Sequence, residues 1–353
     1  MFQANRFRRK NASNTIRITV AAALLIGVVG PALAGETGRF SAIEENDFFT
    51  PDNRDRHYTQ GAQIGYLSPD LGAGGMATPM DWLNSLLPVF PKGPTTSRHF
   101  DLFIGQEIFT PQDKTLAVPD PHDRPYAGWL NAGIGFLDDA DQRTLDHFAL
   151  QIGIVGPASY AKQTQNRFHL AIDNPDSKGW DYQLHDEPTL NFYAERHRRF
   201  IADLDDALSV EAIPEAGAAV GNAYDYLAAG GVARFGKNLR VDYGPALIGP
   251  GPSGTDYFNA ANFKPDSRWG WYVFIGAEGR AVAHNIFLDG NSFQASRSVP
   301  RRPLVGDLVT GAALFYSSWA RVSYTYVNRS DEFYGQHNAD NFGSIMASIV
   351  LPF

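Results

Sequence analysis

The feature that most constrains this chain is an alternation of apolar and polar residues with a period of two. In one segment the apolar side consists of Phe148, Leu150, Ile152 and Ile154. Successive side chains of a strand point to opposite faces, so the pattern predicts strands with one apolar and one polar face. About twelve such segments, separated by turns rich in Gly, Pro, Asn and Asp, lie near 39–49, 58–68, 99–109, 126–137, 146–155, 189–200, 207–221, 225–236, 270–287, 304–316, 318–328 and 342–353. The segment 270–287 is long enough for one strand or two.

Two features favour a membrane barrel over a soluble β-sandwich, which can share this alternation. Aromatic residues recur near the predicted strand ends, where a barrel carries its interfacial girdles; they are Phe48, Phe49, Tyr66, Trp129, Phe136, Trp269, Trp271, Tyr316 and Trp319. The last segment ends on Phe353, a terminal aromatic like the signal that outer-membrane barrels present to their insertion machinery. We therefore predict an all-β fold, a transmembrane antiparallel β-barrel of about 12 strands that occupies residues 35–353.

One segment departs from the strand pattern. After Pro157 the chain carries Ala, Lys, Gln, Arg and Leu in place of alternating β-branched residues. Proline is favoured in the first turn of a helix because its missing N–H would be unpaired there. The sequence therefore predicts one short inserted helix at about 157–172. Lys162, Gln165 and His169 fall at i, i+3 and i+7 and would share one of its faces.

The N-terminus has the pattern of a secretory signal peptide. Basic residues precede an apolar run at 20–26, and Ala32 and Ala34 place small residues where a signal peptidase cleaves. We predict cleavage after Ala34, so that residues 1–34 are a signal peptide; a membrane anchor would need a longer apolar run than 18–30. The remaining chain would carry 25 Lys and Arg against 38 Asp and Glu, a formal net charge of −13. That charge argues against nucleic acid as a partner.

Four polar clusters are candidates for chemistry, and they lie at 44–47, 54–61, 120–129 and 163–169. The chain has no cysteine, which excludes a disulfide scaffold, a thiolate metal site and a Cys nucleophile. It also lacks the Gly-x-Ser-x-Gly motif of ordinary serine hydrolases. Asp and Asn oxygens suit Ca²⁺, which can polarise an ester carbonyl, and a neutral His can take a proton from water. The clusters are consistent with a hydrolytic site that uses a hard metal, although each residue alone also fits a solvated loop.

Ordered motifs extend from about residue 40 to the C-terminus. They are Asn46-Asp47-Phe48, DRHYTQG at 55–61, GQEIFTP at 105–111, DRPYAGW at 123–129, GIVGPAS at 153–159, QNRFH at 165–169, Gly179-Trp180 and EFYGQ at 332–336. In this order they resemble the lipid A 3′-O-deacylase (LpxR-type) family of outer-membrane proteins. The resemblance implies a twelve-stranded barrel whose active site lies between the wall and a helix near the outer leaflet. There, Ca²⁺-dependent hydrolysis would remove the 3′-linked acyloxyacyl chain from lipid A.

The resemblance also implies roles for individual residues. His169 would be the catalytic base, and Gln165, one turn earlier, would orient it or a water molecule. Asn46 and Asp47 would belong to the catalytic and metal site, holding Ca²⁺. Thr59 would line the same site.

Three charged residues complete the expected site. Lys114 stands where the family has a basic pair, and we expect Arg124 to face a phosphate of the substrate. Asp173 is the nearest acidic candidate to pair with the catalytic histidine. The expected partner is lipopolysaccharide in the outer leaflet, and we expect a monomer. Two alternatives stay open: a structural or pore-forming barrel, and a Ca²⁺-dependent phospholipase, which would need a serine beside the histidine.

Overall fold

The computed structural model describes residues 38–51, 56–72, 94–172, 175–249, 256–263 and 268–350. The predicted signal peptide, Asp173 and Phe353 lie outside these ranges. Within them, none of the helices has both the length and the apolar character needed to cross a bilayer.

The described residues form thirteen strands in one antiparallel sheet, and the sheet closes because β6 pairs with β8 as well as with β5. The strands are β1 (Arg39–Asn46), β2 (His57–Leu67), β3 (Thr95–Thr110), β4 (Ala127–Ala140), β5 (Thr144–Val155), β6 (Glu187–Arg198), β7 (Phe200–Asp203), β8 (Leu208–Gly221), β9 (Tyr224–Lys237), β10 (Trp269–Asn285), β11 (Leu304–Tyr316), β12 (Ala320–Arg329) and β13 (Asp340–Val350). The segment 270–287, which was long enough for one strand or two, forms the single strand β10. A short helix, Ile286–Asp289, follows it.

The extra strand β7 continues β6. Both pair with β8 in one register, with His197 opposite Glu215 and Phe200 opposite Ala212. The ladder is interrupted between them, where β8 contains Pro214, which has no N–H to donate. The wall therefore consists of twelve strands, and the predicted all-β barrel is confirmed.

The barrel wall is apolar on its outer face. Along β10, Trp271, Val273 and Ile275 are exposed, whereas Tyr272 and Phe274 between them are buried. The same exposed apolar surface continues around the barrel in Ile64, Leu102, Ile104, Ile134, Ile152, Leu190, Val220, Leu227, Leu308, Leu314, Val322 and Ile345. Such a band is the surface that a barrel presents to lipid.

Some of the predicted girdle aromatics lie at the end of the barrel where β1 begins and β13 ends. The ring centroid of Tyr316 is 4.8 Å from that of Trp269 and 5.8 Å from that of Trp319. Trp129 differs from the prediction, since it is buried and its indole N–H donates to Thr189. It occupies a lumen-facing position of β4, so it packs in the core.

The lumen is filled by charged side chains that pair with one another. Arg234 bonds both Glu211 and Asp242, and Arg199 bonds Glu211. Arg321 Nη1 lies 3.0 Å from the second oxygen of Asp242. All five side chains are buried.

The connection between β9 and β10 folds back into the lumen. Its buried apolar and aromatic residues are Leu239, Val241, Tyr243, Ala246, Leu247, Tyr257 and Phe258. The hydroxyls of Tyr243 and Tyr257 donate to Asp139 of β4, at 3.0 and 2.7 Å. The N–H of Ile248 donates to Glu45 of β1 at 2.9 Å. This connection therefore packs against the inside of the wall.

The inserted helix α1 (Ala161–Ile172) starts later than predicted. Pro157–Ser159 forms a separate 3-10 turn, and Tyr160 follows it with a left-handed backbone (φ 60°), which interrupts the helical path. The helix lies outside the barrel, against outward positions of β3 and β4. Gly128 permits this approach, because a Cβ there would lie 2.1 Å from the Cβ of Ala161.

Candidate active site

The end of β1 forms the first part of the site. Asn46 ends the strand, and its Oδ1 accepts a hydrogen bond from the N–H of Phe48 at 2.9 Å, which starts a 3-10 turn. Asp47, the first residue of the turn, is only 3% exposed. Its Oδ2 accepts the backbone N–H of Arg56 at 2.9 Å. The turn thus fixes a buried carboxylate at the rim of the barrel.

A β-bulge places Thr59 in the same region. In the ladder with β3, Tyr58 pairs with Phe109 and Gln60 pairs with Ile108, so Thr59 is an extra residue. Bulges redirect a side chain and are common beside active sites. The hydroxyls of Thr59 and Thr110 lie 2.7 Å apart.

Lys114 connects the two halves of the site electrostatically. It lies in the loop after β3, and its charge acts on both Asp47 and His169. Burial lowers the pKa of Lys114 to about 8, although the negative charge of Asp47 opposes that shift. Burial raises the pKa of Asp47 well above its usual range, which the N–H of Arg56 and the charge of Lys114 counteract only in part.

The helix supplies Gln165 and His169, one turn apart, and both are about 1% exposed. Trp180 donates its indole N–H to Oε1 of Gln165 at 2.8 Å, which fixes the amide. Nε2 of Gln165 has no hydrogen-bond partner among the described residues. The site therefore holds a buried amide donor that a substrate can use.

The surroundings of His169 favour its neutral form. Burial lowers the pKa of His169, and the positive charge of Lys114 lowers it further. A hydrogen bond with the backbone of Pro175 and the charge of Asp176 oppose this shift. A neutral imidazole is the form that can accept a proton. Asp176, which the sequence analysis missed, is the acidic neighbour; Asp173 lies outside the described residues.

Two basic residues are not part of this group. Lys162 forms an exposed ion pair with Asp181 at 2.8 Å, so the cation beside His169 is Lys114 and not the neighbour on the helix. Arg124 is fully buried, with Nη1 3.1 Å from Glu332 and its guanidinium over the ring of Phe109. Its contacts in the described part of the chain therefore lie within the packed interior of the rim.

His57 differs from the exposed loop residue that the sequence suggests. It is the first residue of β2, it is fully buried, and its Nδ1 lies 2.6 Å from Oδ1 of Asp340 at the start of β13. It therefore fastens two strands at the rim. His122, in contrast, is exposed.

The described residues contain no group of three or more His, Asp and Glu placed to hold a metal ion. Asn46 and Asp47 offer oxygen donors of the kind that Ca²⁺ prefers. The effect of burial on the carboxylate of Asp47 is offset only in part by the N–H of Arg56 and the charge of Lys114. The type of ligand atom that these residues supply therefore suits a hard cation. Backbone, water or substrate oxygens would have to supply the rest of the six to eight ligands.

Comparison with known proteins identifies the family. A match to the family described as Outer membrane protein LpxR covers residues 18–351. The fold is similar to that of LpxR from Salmonella typhimurium, with a TM-score of 0.72 and 19% identity over 89% of this chain and 100% of that one. The β domain of the Bordetella autotransporter BrkA is less similar, with a TM-score of 0.43 and 11% identity over 90% of this chain and 100% of that one. None of the curated proteins matches the chain. The family match and the closed barrel show that the chain belongs to the LpxR family of outer membrane proteins and lies in the bacterial outer membrane.

Proposed function

We propose that the protein hydrolyses an ester of lipid A and releases the 3′-linked acyloxyacyl chain. One observation carries the proposal: His169, whose pKa is lowered by burial and by Lys114, lies on a helix on the outside of the wall, and the charge of Lys114 also acts on Asp47. The acyl chains of a membrane lipid run along that outer face. A lipid ester can therefore reach this site without leaving the bilayer.

The residues suit general-base hydrolysis. His169 takes a proton from a water molecule, and the resulting hydroxide attacks the ester carbonyl carbon. The negative charge that develops on the carbonyl oxygen is stabilised by Lys114 and by the free Nε2–H of Gln165. Asp176 and the backbone of Pro175 stabilise the imidazolium. When the carbon–oxygen bond breaks, His169 returns the proton to the departing alcohol.

The pore alternative is disfavoured by the lumen. Buried ion pairs and the connection between β9 and β10 occupy it in the described part of the chain. A conducting pore instead needs a water-filled passage.

The direct test of the proposal is mass spectrometry of lipid A from cells with and without the protein. Loss of a mass equal to one acyloxyacyl chain from the 3′ position, only in cells that make the protein, would support the proposal. An identical lipid A profile, with the purified protein also inactive on lipid A in detergent, would reject it.

Calcium is the cofactor that we expect. Asn46 and Asp47 would hold it, and when bound it would supply positive charge to polarise the ester carbonyl. Chelation should abolish hydrolysis, and Ca²⁺ should restore it better than Mg²⁺, whose strict octahedral shell suits a flexible oxygen site less well. Hydrolysis by purified protein would be measured after chelation and after each ion is returned. Full activity in excess chelator would remove the metal from the mechanism.

Activity should also depend on pH through His169. Because its pKa is lowered, the base is protonated and inactive only in acid, so kcat/KM should rise with pH and reach half its maximum below pH 6.5, the usual value for histidine. In Lys114→Met the positive charge that lowers this pKa is absent, so the midpoint should move to higher pH. His122→Ala should leave it in place. A midpoint that is the same in Lys114→Met and wild type would contradict this assignment.

A further inference from the structure

A carboxylate, Glu44, lies on the outer face of the barrel beside the site. Along β1, lumen-facing residues alternate with outward ones, and Glu44 falls on the outward side together with Ala42 and Asn46. Its neighbour across the ladder with β13 is Ile345, which is 39% exposed on the apolar outer surface. Glu44 thus interrupts an apolar wall two residues before the end of the strand.

Among the residues that the structure describes, Glu44 is paired with a neutral amide and not with a cation. Nε2 of Gln60, on β2, donates to Oε1 of Glu44 at 2.8 Å, and the side chain of Asn46 is a further hydrogen-bond neighbour. A carboxylate has about four lone-pair positions, so the pair keeps unused acceptor capacity.

A charged side chain on the lipid-facing surface of a barrel is destabilising, with a cost that depends on depth. Ionisable residues at such positions therefore commonly serve a function. Carboxyl and amide oxygens accept hydrogen bonds, so the pair attracts hydrogen-bond donors, and its carboxylate form repels phosphate. Its ligand is therefore a neutral donor group of a lipid and not a phosphorylated headgroup.

We propose that Glu44 and Gln60 form an acceptor subsite that binds a hydroxyl or amide N–H on the acyl chain next to the ester that is cleaved. This inference rests on the proposed function and adds a determinant of substrate choice. The subsite adjoins Asn46, which lies opposite Gln60 in the ladder of β1 and β2. A lipid that offers such a donor is held with its ester at the site, and one that lacks it is held less well.

The test uses the full barrel in detergent with three synthetic lipid A substrates. The first has a free hydroxyl on the neighbouring acyl chain, the second lacks only that hydroxyl, and the third has an ester in place of the neighbouring amide. Wild type should lose about tenfold in kcat/KM on the second or on the third, the size expected for one hydrogen bond to a charged group. Which substrate is affected identifies the donor as hydroxyl or amide.

Variants then assign the preference to the pair. Glu44→Ile, which matches the apolar wall, and Gln60→Leu should bring the ratio of kcat/KM between the first substrate and the affected one close to one. Ile345→Ala, at the facing position, should keep it. Correct folding is checked by the shift in gel mobility on boiling. A preference that survives in folded Glu44→Ile would overturn the subsite. So would an altered Ca²⁺ requirement with an unchanged preference, because Glu44 would then only position Asn46. If wild type cleaves none of the substrates, the proposed function fails, and the subsite, which rests on it, fails with it.

Discussion

Replacement of His169 by alanine is expected to reduce deacylation by about 10²–10⁴-fold, the usual contribution of a general base. The imidazole is buried and its pKa is lowered by burial and by Lys114, so it is neutral and able to take a proton from water at pH 7. The substitution should leave the barrel folded, because His169 lies on α1 outside the wall and not in a strand.

The matched control for His169 is His122→Ala, an exposed histidine in the loop between β3 and β4. Deacylation would be measured at equal amounts of folded protein. His57→Ala is a poorer control, because it removes the buried contact between the imidazole and Oδ1 of Asp340 that joins two strands at the rim. If His169→Ala keeps nearly full activity while another histidine substitution abolishes it, the base has been assigned to the wrong residue.

Most of the fold could be predicted from the sequence because alternate residues of a barrel strand face lipid and the interior, and their polarity differs accordingly. β10 shows why: apolar residues reach lipid on one side while the other side faces the core. The interruption before β7 could not be predicted, since the effect of Pro214 depends on which strand it faces. The late start of α1 depends on the left-handed backbone of Tyr160, which the composition of the segment does not reveal.

The candidate site could be predicted only in part. The resemblance indicated Asp47, Lys114 and His169, and in the structure the charge of Lys114 acts on both Asp47 and His169. The sequence does not show which distant segments lie next to each other in the fold. The bulge that redirects Thr59 exists only in the register with β3, and the influence of Asp176 on the histidine depends on how the chain returns after the helix.

The interior was the least predictable part. In a strand that faces a lumen, a buried Arg or Glu has the same sequence pattern as an exposed one. Only the fold shows that Arg234 and Glu211 face each other across adjacent strands β9 and β8. The connection that carries Asp242 has no alternation to reveal that it enters the barrel. These charged side chains therefore fill a closed core.

The contrast between two aspartates tests that core. Asp242 is fully buried and bonds Arg234 and Arg321, so Asp242→Ala leaves two buried guanidinium groups without their shared carboxylate. Loss of one partner of a buried ion pair costs about 3–5 kcal/mol, because the remaining charge stays desolvated. Asp203 instead forms a half-exposed pair with Arg240, and an exposed pair is worth about 0–1 kcal/mol. Urea unfolding of the refolded barrel, followed by tryptophan fluorescence, should therefore show a large loss for Asp242→Ala and almost none for Asp203→Ala. Equal losses would mean that the buried network does not hold the connection between β9 and β10 in the lumen.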